Sequence, residues 1–110
     1  MEVSEEKKGN VLILGVSGKL DVSNSKVFEE RILAIIDAGA QQFVVDLSRL
    51  DYVSSAGLRV FLTAAKLLNS ANGKMVFCSL KESVREVFDI SGFFSIFSVY
   101  GSQDEAVKSL

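Results

Sequence analysis

The sequence predicts a single α/β domain with a mixed, mainly parallel sheet of four to five strands and about four helices. Short apolar runs rich in β-branched residues alternate with segments of helical spacing, and glycine- or serine-rich turns separate them. Such alternation builds parallel sheets through right-handed crossovers. The length of 110 residues suits one core, so residues 1–110 are assigned to one domain.

The first strands form a predicted hairpin. Residues 2–8 are polar with a weak alternation, Gly9 and Asn10 give a turn signal, and residues 11–17 are an almost continuous apolar run. The second strand is therefore predicted to be buried, with the first lying antiparallel at an edge.

A loop and an amphipathic helix follow the hairpin. Residues 17–25, SGKLDVSNS, predict a loop that ends at a helix N-cap, either Ser23 or Asn24. Beyond it, apolar residues recur at spacings of three and four until Gly39, which predicts a helix end. These apolar positions are Val27, Phe28, Ile32, Ile35 and Ile36.

The remaining chain repeats the alternation of strand and helix. Apolar runs at residues 42–47, 74–80 and 96–100 have the composition of strands. Helical spacing starts near Ser55 and ends before Asn72, with Leu58, Phe61, Leu62, Ala65 and Leu68 on its apolar face. Two further helices are predicted over residues 81–92, with Val84, Val87 and Phe88 inward and Gly92 as C-cap, and after Ser102.

Composition excludes several functional classes. The net charge is -2, the pI is near 5.1 and no basic cluster occurs, which argues against direct nucleic-acid binding. No apolar run reaches the roughly 18 residues that a membrane span requires, so membrane insertion is not expected. The acidic, polar N-terminus lacks the pattern of a secretory signal, and a cytoplasmic location is predicted.

Residues capable of catalysis or metal binding are sparse. Histidine is absent, which removes the usual general base and the commonest zinc ligand. Cys78 lies in an apolar strand and is predicted to be a core residue. Asp46 has no second acidic residue placed to share an ion, so it is predicted to make strand-end hydrogen bonds. We therefore expect no enzyme activity, metal or cofactor.

Residues 50–62, LDYVSSAGLRVFL, hold two serines before the predicted second helix. Either serine could cap the helix, and Ala56 and Gly57 could be small because the turn is closely packed. A serine nucleophile is excluded, because Val53 replaces the first glycine of a G-x-S-x-G elbow and no histidine is present. A third role is modification, since such a turn is exposed and a phosphate would face the positive end of the helix.

Three segments resemble the STAS domain family, in particular its bacterial anti-sigma factor antagonists. GKLDVSNS is similar to the G-E-L-D loop of the family, VVDLSRLDYVSSAGLRVFL to its phosphorylation loop and helix, and GKMVFCSLKESVREVFDISGFFSIF to its downstream strand, helix and D-x-[ST]-G-L segment. The resemblance implies a regulator that binds an anti-sigma factor acting as a serine kinase, is released by phosphorylation, and is reset by a phosphatase of the PP2C type.

The resemblance also assigns site residues. The family pattern M-D-S-[ST]-G-L places the phosphoacceptor on Ser55, with Ser54 as the less favoured acceptor in the position of the usual aspartate. Lys19 replaces the family's glutamate. The partner surface that the resemblance implies comprises Asp21, Ser23, Ser54, Ala56, Gly57, Leu58 and Arg59.

Several alternatives are open from the sequence. Asp21 either caps its own loop or faces a partner, and Leu58 is expected to be partly an exposed anchor and partly a packing residue. Phe93, Phe94, Phe97 and Tyr100 are predicted to lie in the core or at the sheet edge, and the alternative is that Phe93 or Phe94 is an exposed contact. The protein could instead be an unphosphorylated STAS adaptor subunit of a transport or signalling assembly, or a domain that binds a nucleotide or another small ligand.

Overall fold

The computed structural model describes residues 1–110 and contains six strands and four α-helices. The strands are β1 (Glu2–Lys8), β2 (Val11–Leu20), β3 (Gln42–Asp46), β4 (Leu50–Val53), β5 (Lys74–Cys78) and β6 (Val99–Tyr100). The helices are α1 (Ser25–Asp37), α2 (Ser55–Ser70), α3 (Glu82–Ile90) and α4 (Gln103–Lys108), with a single 3-10 turn at Phe93–Ser95.

One mixed sheet organises the domain. Five strands follow the order β1-β2-β3-β5-β6, and only β1 is antiparallel to its neighbour. The short β4 pairs in parallel with the end of β2, beyond the stretch of β2 that pairs with β3. The predicted α/β fold with a mainly parallel sheet and an antiparallel edge is confirmed, and β4 is the sixth strand.

Three segments differ from their predicted structure. β2 continues to Leu20, so residues 18–20 are strand and not loop, because they pair with β4. β4 itself was not predicted, since its buried residues Leu50 and Val53 do not alternate. The last strand is only Val99–Tyr100, because the chain before it forms the 3-10 turn.

Two apolar layers enclose the sheet. The larger lies under α1, α2 and α3 and contains edge-to-face aromatic contacts, such as Phe61 to Phe77 with ring centroids 5.1 Å apart. The smaller lies under α4 and includes Cys78, which has no exposed surface. This burial confirms the predicted role of Cys78 in the core, and it raises the pKa of the thiol to about 11.

Helix faces largely agree with the sequence pattern. Phe28, Ile32 and Ile36 of α1 are buried as predicted, but Val27 is 67% exposed, so its assignment to the apolar face is wrong. The apolar stripe of α1 is narrower than the spacing of its hydrophobic residues suggests. Ser102 caps α4 as predicted, because its hydroxyl accepts a hydrogen bond from the backbone N–H of Glu105 at 3.2 Å.

Candidate functional site

Two loops meet at the carboxyl ends of β2 and β4. Leu20 and Val53 are register partners in parallel strands, so the residues that follow them leave the same edge of the sheet side by side. The backbone N–H of Ser54 donates to the carbonyl of Leu20 at 2.9 Å, which ties the two strand ends together. We call this region, residues 21–24 and 54–59, the switch edge.

The two serines of the switch edge have different environments. Ser54 is the N-cap of α2, is only 9% exposed, and its hydroxyl accepts a hydrogen bond from the N–H of Gly57 at 3.2 Å. Ser55 is the first residue of α2 and is exposed. The cap is therefore Ser54, and the hydroxyl of Ser55 is open to solvent.

Gly57 permits the close approach of α2 to the two strands. A Cβ atom at this position would lie 2.8 Å from Cγ of Leu20 and 3.0 Å from Cγ2 of Val53. The expected close packing of this turn is thus confirmed. It also fixes where the start of α2 sits above the sheet, and with it the position of Ser55.

The neighbouring helix residues divide between core and surface. Leu58 is 4% exposed, so the expectation that it is partly an exposed anchor is wrong, whereas its packing role is confirmed. Its side chain lies in the larger apolar layer because the helix is drawn close to the sheet at Gly57. Arg59 is exposed, as its position predicts, and Ala56 is half-buried.

Hydrogen bonds hold the loop after β2 in one shape. The Asp21 carboxylate accepts from the backbone N–H of Ser23 at 2.9 Å and from its hydroxyl at 2.5 Å. These bonds, the hydroxyl first, lower the pKa of Asp21 below its usual value. Of the roles open to Asp21, the capping of its own loop is confirmed, and a partner role stays a prediction.

Asn24 closes the same loop and does not cap α1 through its side chain. It occupies the N-cap position, but its amide oxygen accepts from the N–H of Asp21 at 2.9 Å. Its amide nitrogen donates to the carbonyl of Lys19, also at 2.9 Å. Neither Ser23 nor Asn24 therefore makes a side-chain cap, because both are used within the loop.

Sequence reasoning missed two exposed apolar residues at or near this edge. Val22 is 77% exposed at the tip of the loop, and Tyr52 is 47% exposed on β4, paired in register with Lys19. The exposure of Val22 could have been predicted, because it is an apolar residue within a polar loop. The exposure of Tyr52 could not, because β4 was not recognised as a strand.

A polar contact fastens α3 to β4 near the switch edge. The ammonium of Lys81 lies 2.5 Å from the carboxylate of Asp51, and the hydroxyl of Ser83 donates to the Asp51 carbonyl at 2.9 Å. The hydrogen bond and charge of Lys81 lower the pKa of Asp51. These contacts hold β4, the strand that leads to Ser54, against the start of α3.

Other polar residues have structural partners. The Asp46 carboxylate accepts from the N–H of Ser48 and from the amide of Gln103, each at 2.9 Å, which confirms its predicted strand-end role. No group of three or more acidic or cysteine side chains is placed to hold a metal ion. None of the helices combines the length and the apolar character needed to cross a bilayer.

The switch edge thus combines a capped α2 with the exposed Ser55. A family profile described as the STAS domain matches residues 2–106. The chain belongs to the STAS domain family. Anti-sigma factor antagonists of this family are non-enzymatic regulatory proteins, and this STAS domain is likewise regulatory and not an enzyme.

Relatives in two bacteria bear regulatory names. BtrV of Bordetella bronchiseptica, which has the provisional name of an anti-sigma factor antagonist, is 45% identical over 109 residues, covering 99% of this STAS domain and 94% of BtrV. The anti-sigma F factor antagonist of Paenibacillus polymyxa is 31% identical, covering 100% of this chain and 95% of its own length.

Solved structures share the fold. The Bacillus protein SpoIIAA, an anti-sigma factor antagonist, superposes in its unphosphorylated form with a TM-score of 0.84 at 21% identity, covering 98% of this chain and 95% of its own. Its phosphorylated form superposes with a TM-score of 0.76 at 20% identity, covering 98% of both chains. At this identity the similarity shows the fold alone.

Proposed function

We propose that this STAS domain is an anti-sigma factor antagonist that changes partners when Ser55 is phosphorylated. The unphosphorylated form binds an anti-sigma factor that is also a serine kinase, and in doing so frees a sigma factor. Phosphorylation of Ser55 releases the domain, and a phosphatase of the PP2C type resets it in the cytoplasm. The names of both relatives support the first step.

The exposed hydroxyl of Ser55 carries the proposal of a phosphorylation site. Ser55 begins α2 on a rigid edge, while the hydroxyl of Ser54 is buried against the N–H of Gly57. A kinase can therefore reach the hydroxyl of Ser55 without disturbing the helix cap, but it cannot reach the hydroxyl of Ser54. A phosphate on Ser55 would face the positive end of α2, so the domain is expected to stay folded.

The charge of one phosphate is large enough to release a partner. A phosphoserine carries about -1.5 to -2 charges near neutral pH. Two unit charges about 5 Å apart interact by roughly 3 kcal/mol at an effective dielectric constant of about 20. A hundredfold loss of affinity requires about 2.7 kcal/mol, so a phosphate facing a partner carboxylate is sufficient.

Labelling of serine variants by the cognate kinase tests the acceptor. Ser55→Ala is expected to abolish phosphate incorporation while still binding the kinase, and Ser54→Ala is the matched control that keeps the exposed hydroxyl. Ser55→Asp is expected to weaken binding. Wild-type labelling of Ser55→Ala would exclude Ser55 as the acceptor, and absence of any labelling together with constant partner binding would favour the adaptor function.

A further inference from the structure

The outer surface of α2 is a stripe that begins at Ser55. Over residues 55–66 the exposed positions are Ser55, Arg59, Thr63 and Lys66, and every position between them is buried or half-buried. Their spacings of four, four and three residues place all of them on one face of the helix. Ser55 and Arg59 are therefore adjacent on the exposed face, one helical turn apart.

Helix geometry brings the side chains of these two residues together. Residues four apart in an α-helix have Cβ atoms about 5 to 6 Å from each other. Long side chains of a helix lean toward its N-terminus, over the turn that precedes them. The guanidinium at position 59 is thus within reach of a group attached to the hydroxyl of Ser55.

Arg59 has no charged partner within the domain. The two ion pairs involve Arg31 and Lys81, and the guanidinium of Arg85 lies over an aromatic ring. The helix itself contains no aspartate or glutamate, because its sequence is SAGLRVFLTAAKLLNS. The positive charge of Arg59 is therefore uncompensated while Ser55 is unmodified.

We infer that Arg59 is the counter-ion of the phosphate when Ser55 is phosphorylated. Guanidinium N–H groups donate charge-assisted hydrogen bonds to phosphate oxygens, often two at once. A negative group that precedes a cation by four residues is also the favourable order on a helix. The inference rests on the proposed phosphorylation of Ser55 and adds to it the side chain that holds the phosphate in place.

This ion pair changes what the switch edge offers to a partner. Arg59 is the only basic residue among residues 21–24 and 54–59. Phosphorylation would therefore act twice, because it adds negative charge and also engages the one cation that the switch edge can present to an acidic surface.

Two other groups of α2 are alternative partners for the phosphate. The first N–H groups of a helix have no intrahelical acceptor, and that of Gly57 already donates to Ser54, so the others are open to a phosphate. Lys66 lies eleven residues beyond Ser55, roughly 16 Å along the helix, which is too far for direct contact. Lys66 is therefore the matched control for Arg59.

Full-length protein with phosphoserine incorporated at position 55 during translation tests the inference without a kinase. In isotope-labelled protein, the NMR signals of the arginine Nε–H groups are compared with those of the unphosphorylated form. The Arg59 signal is expected to move downfield and to exchange more slowly with water, while those of Arg31, Arg49 and Arg85 stay in place. An unchanged Arg59 signal overturns the inference.

Urea unfolding of the same two forms measures the coupling between the phosphate and the cation. Arg59→Gln is expected to lower the midpoint of the phosphorylated form by at least about 0.2 M more than that of the unphosphorylated form. This excess should shrink at about 0.5 M salt, which screens exposed charges. Arg59→Lys should retain part of the coupling, because it keeps the charge but not the paired donors. Lys66→Gln should affect both forms equally.

The outcomes separate this inference from the proposed function. An equal effect of Arg59→Gln on both forms would show that backbone N–H groups alone hold the phosphate, and it overturns the inference. The same excess in Lys66→Gln would show a general charge effect and also overturns it. Failure of the cognate kinase to label Ser55 would refute the proposed function instead, because the incorporated phosphoserine does not depend on that kinase.

Discussion

Replacing Ser54 by alanine should destabilise the domain through α2. The variant removes the acceptor of the 3.2 Å hydrogen bond from the N–H of Gly57. Because this N–H is buried, it cannot donate a hydrogen bond to water instead. Loss of an N-cap costs about 0.5 to 2 kcal/mol, and burial favours the upper half, about 1 to 2 kcal/mol. Urea unfolding followed by circular dichroism should show a midpoint lower by roughly 0.5 to 1 M, at a slope of about 2 kcal/mol per molar.

Two companion variants separate the cap from the acceptor. Ser55→Ala removes only an exposed hydroxyl and should change the unfolding free energy by no more than about 0.5 kcal/mol. Ser54→Asp supplies an equally good cap and should stay close to wild type. If Ser55→Ala costs as much as Ser54→Ala or more, the assignment of the cap to Ser54 alone is refuted.

Three further predictions concern packing and ionisation. Gly57→Ala should lower the unfolding free energy by about 1 to 3 kcal/mol in denaturant titrations, because its Cβ would displace Leu20; a stabilised variant would contradict this. The Cys78 thiol, with a pKa of about 11, should resist iodoacetamide at pH 8 until the protein is unfolded; rapid labelling of the folded protein would show that it is accessible. The pKa values of Asp21 and Asp51 are lowered in the folded protein, so their ionised forms stabilise the fold above pH 3.8, and this contribution is lost as the pH falls through the folded-state pKa values. Titration of the carboxyl carbons by NMR should give a pKa below 3.8 for both residues. Ordinary pKa values would show that these two carboxylates do not contribute to acid destabilisation.

Most of the fold followed from periodicity, and the exceptions have physical causes. Long segments such as α2 were predictable because the apolar spacing persists over several turns. β4 was not, because it is only four residues long and a register shift between Gly18 and Lys19 sets its pairing with β2. Likewise, Val27 keeps helical spacing but faces solvent, since no element of the fold covers that side of α1.

The candidate site was predictable by residue but not by role. The sequence pointed to Ser54 and Ser55 together, and only the geometry of α2 divides them into a buried cap and an exposed hydroxyl. Whether Leu58 is exposed depends on how closely Gly57 lets the helix approach the sheet, which is a property of tertiary packing. Local sequence holds no such information.

The affinity of the cognate anti-sigma kinase for two forms of the domain tests the central claim most directly. Calorimetry would compare unphosphorylated protein with protein phosphorylated uniquely at Ser55, whose folded state is checked by circular dichroism. The account predicts that phosphorylation weakens binding about a hundredfold or more while the fold is unchanged. Equal affinity of the two folded forms would contradict it.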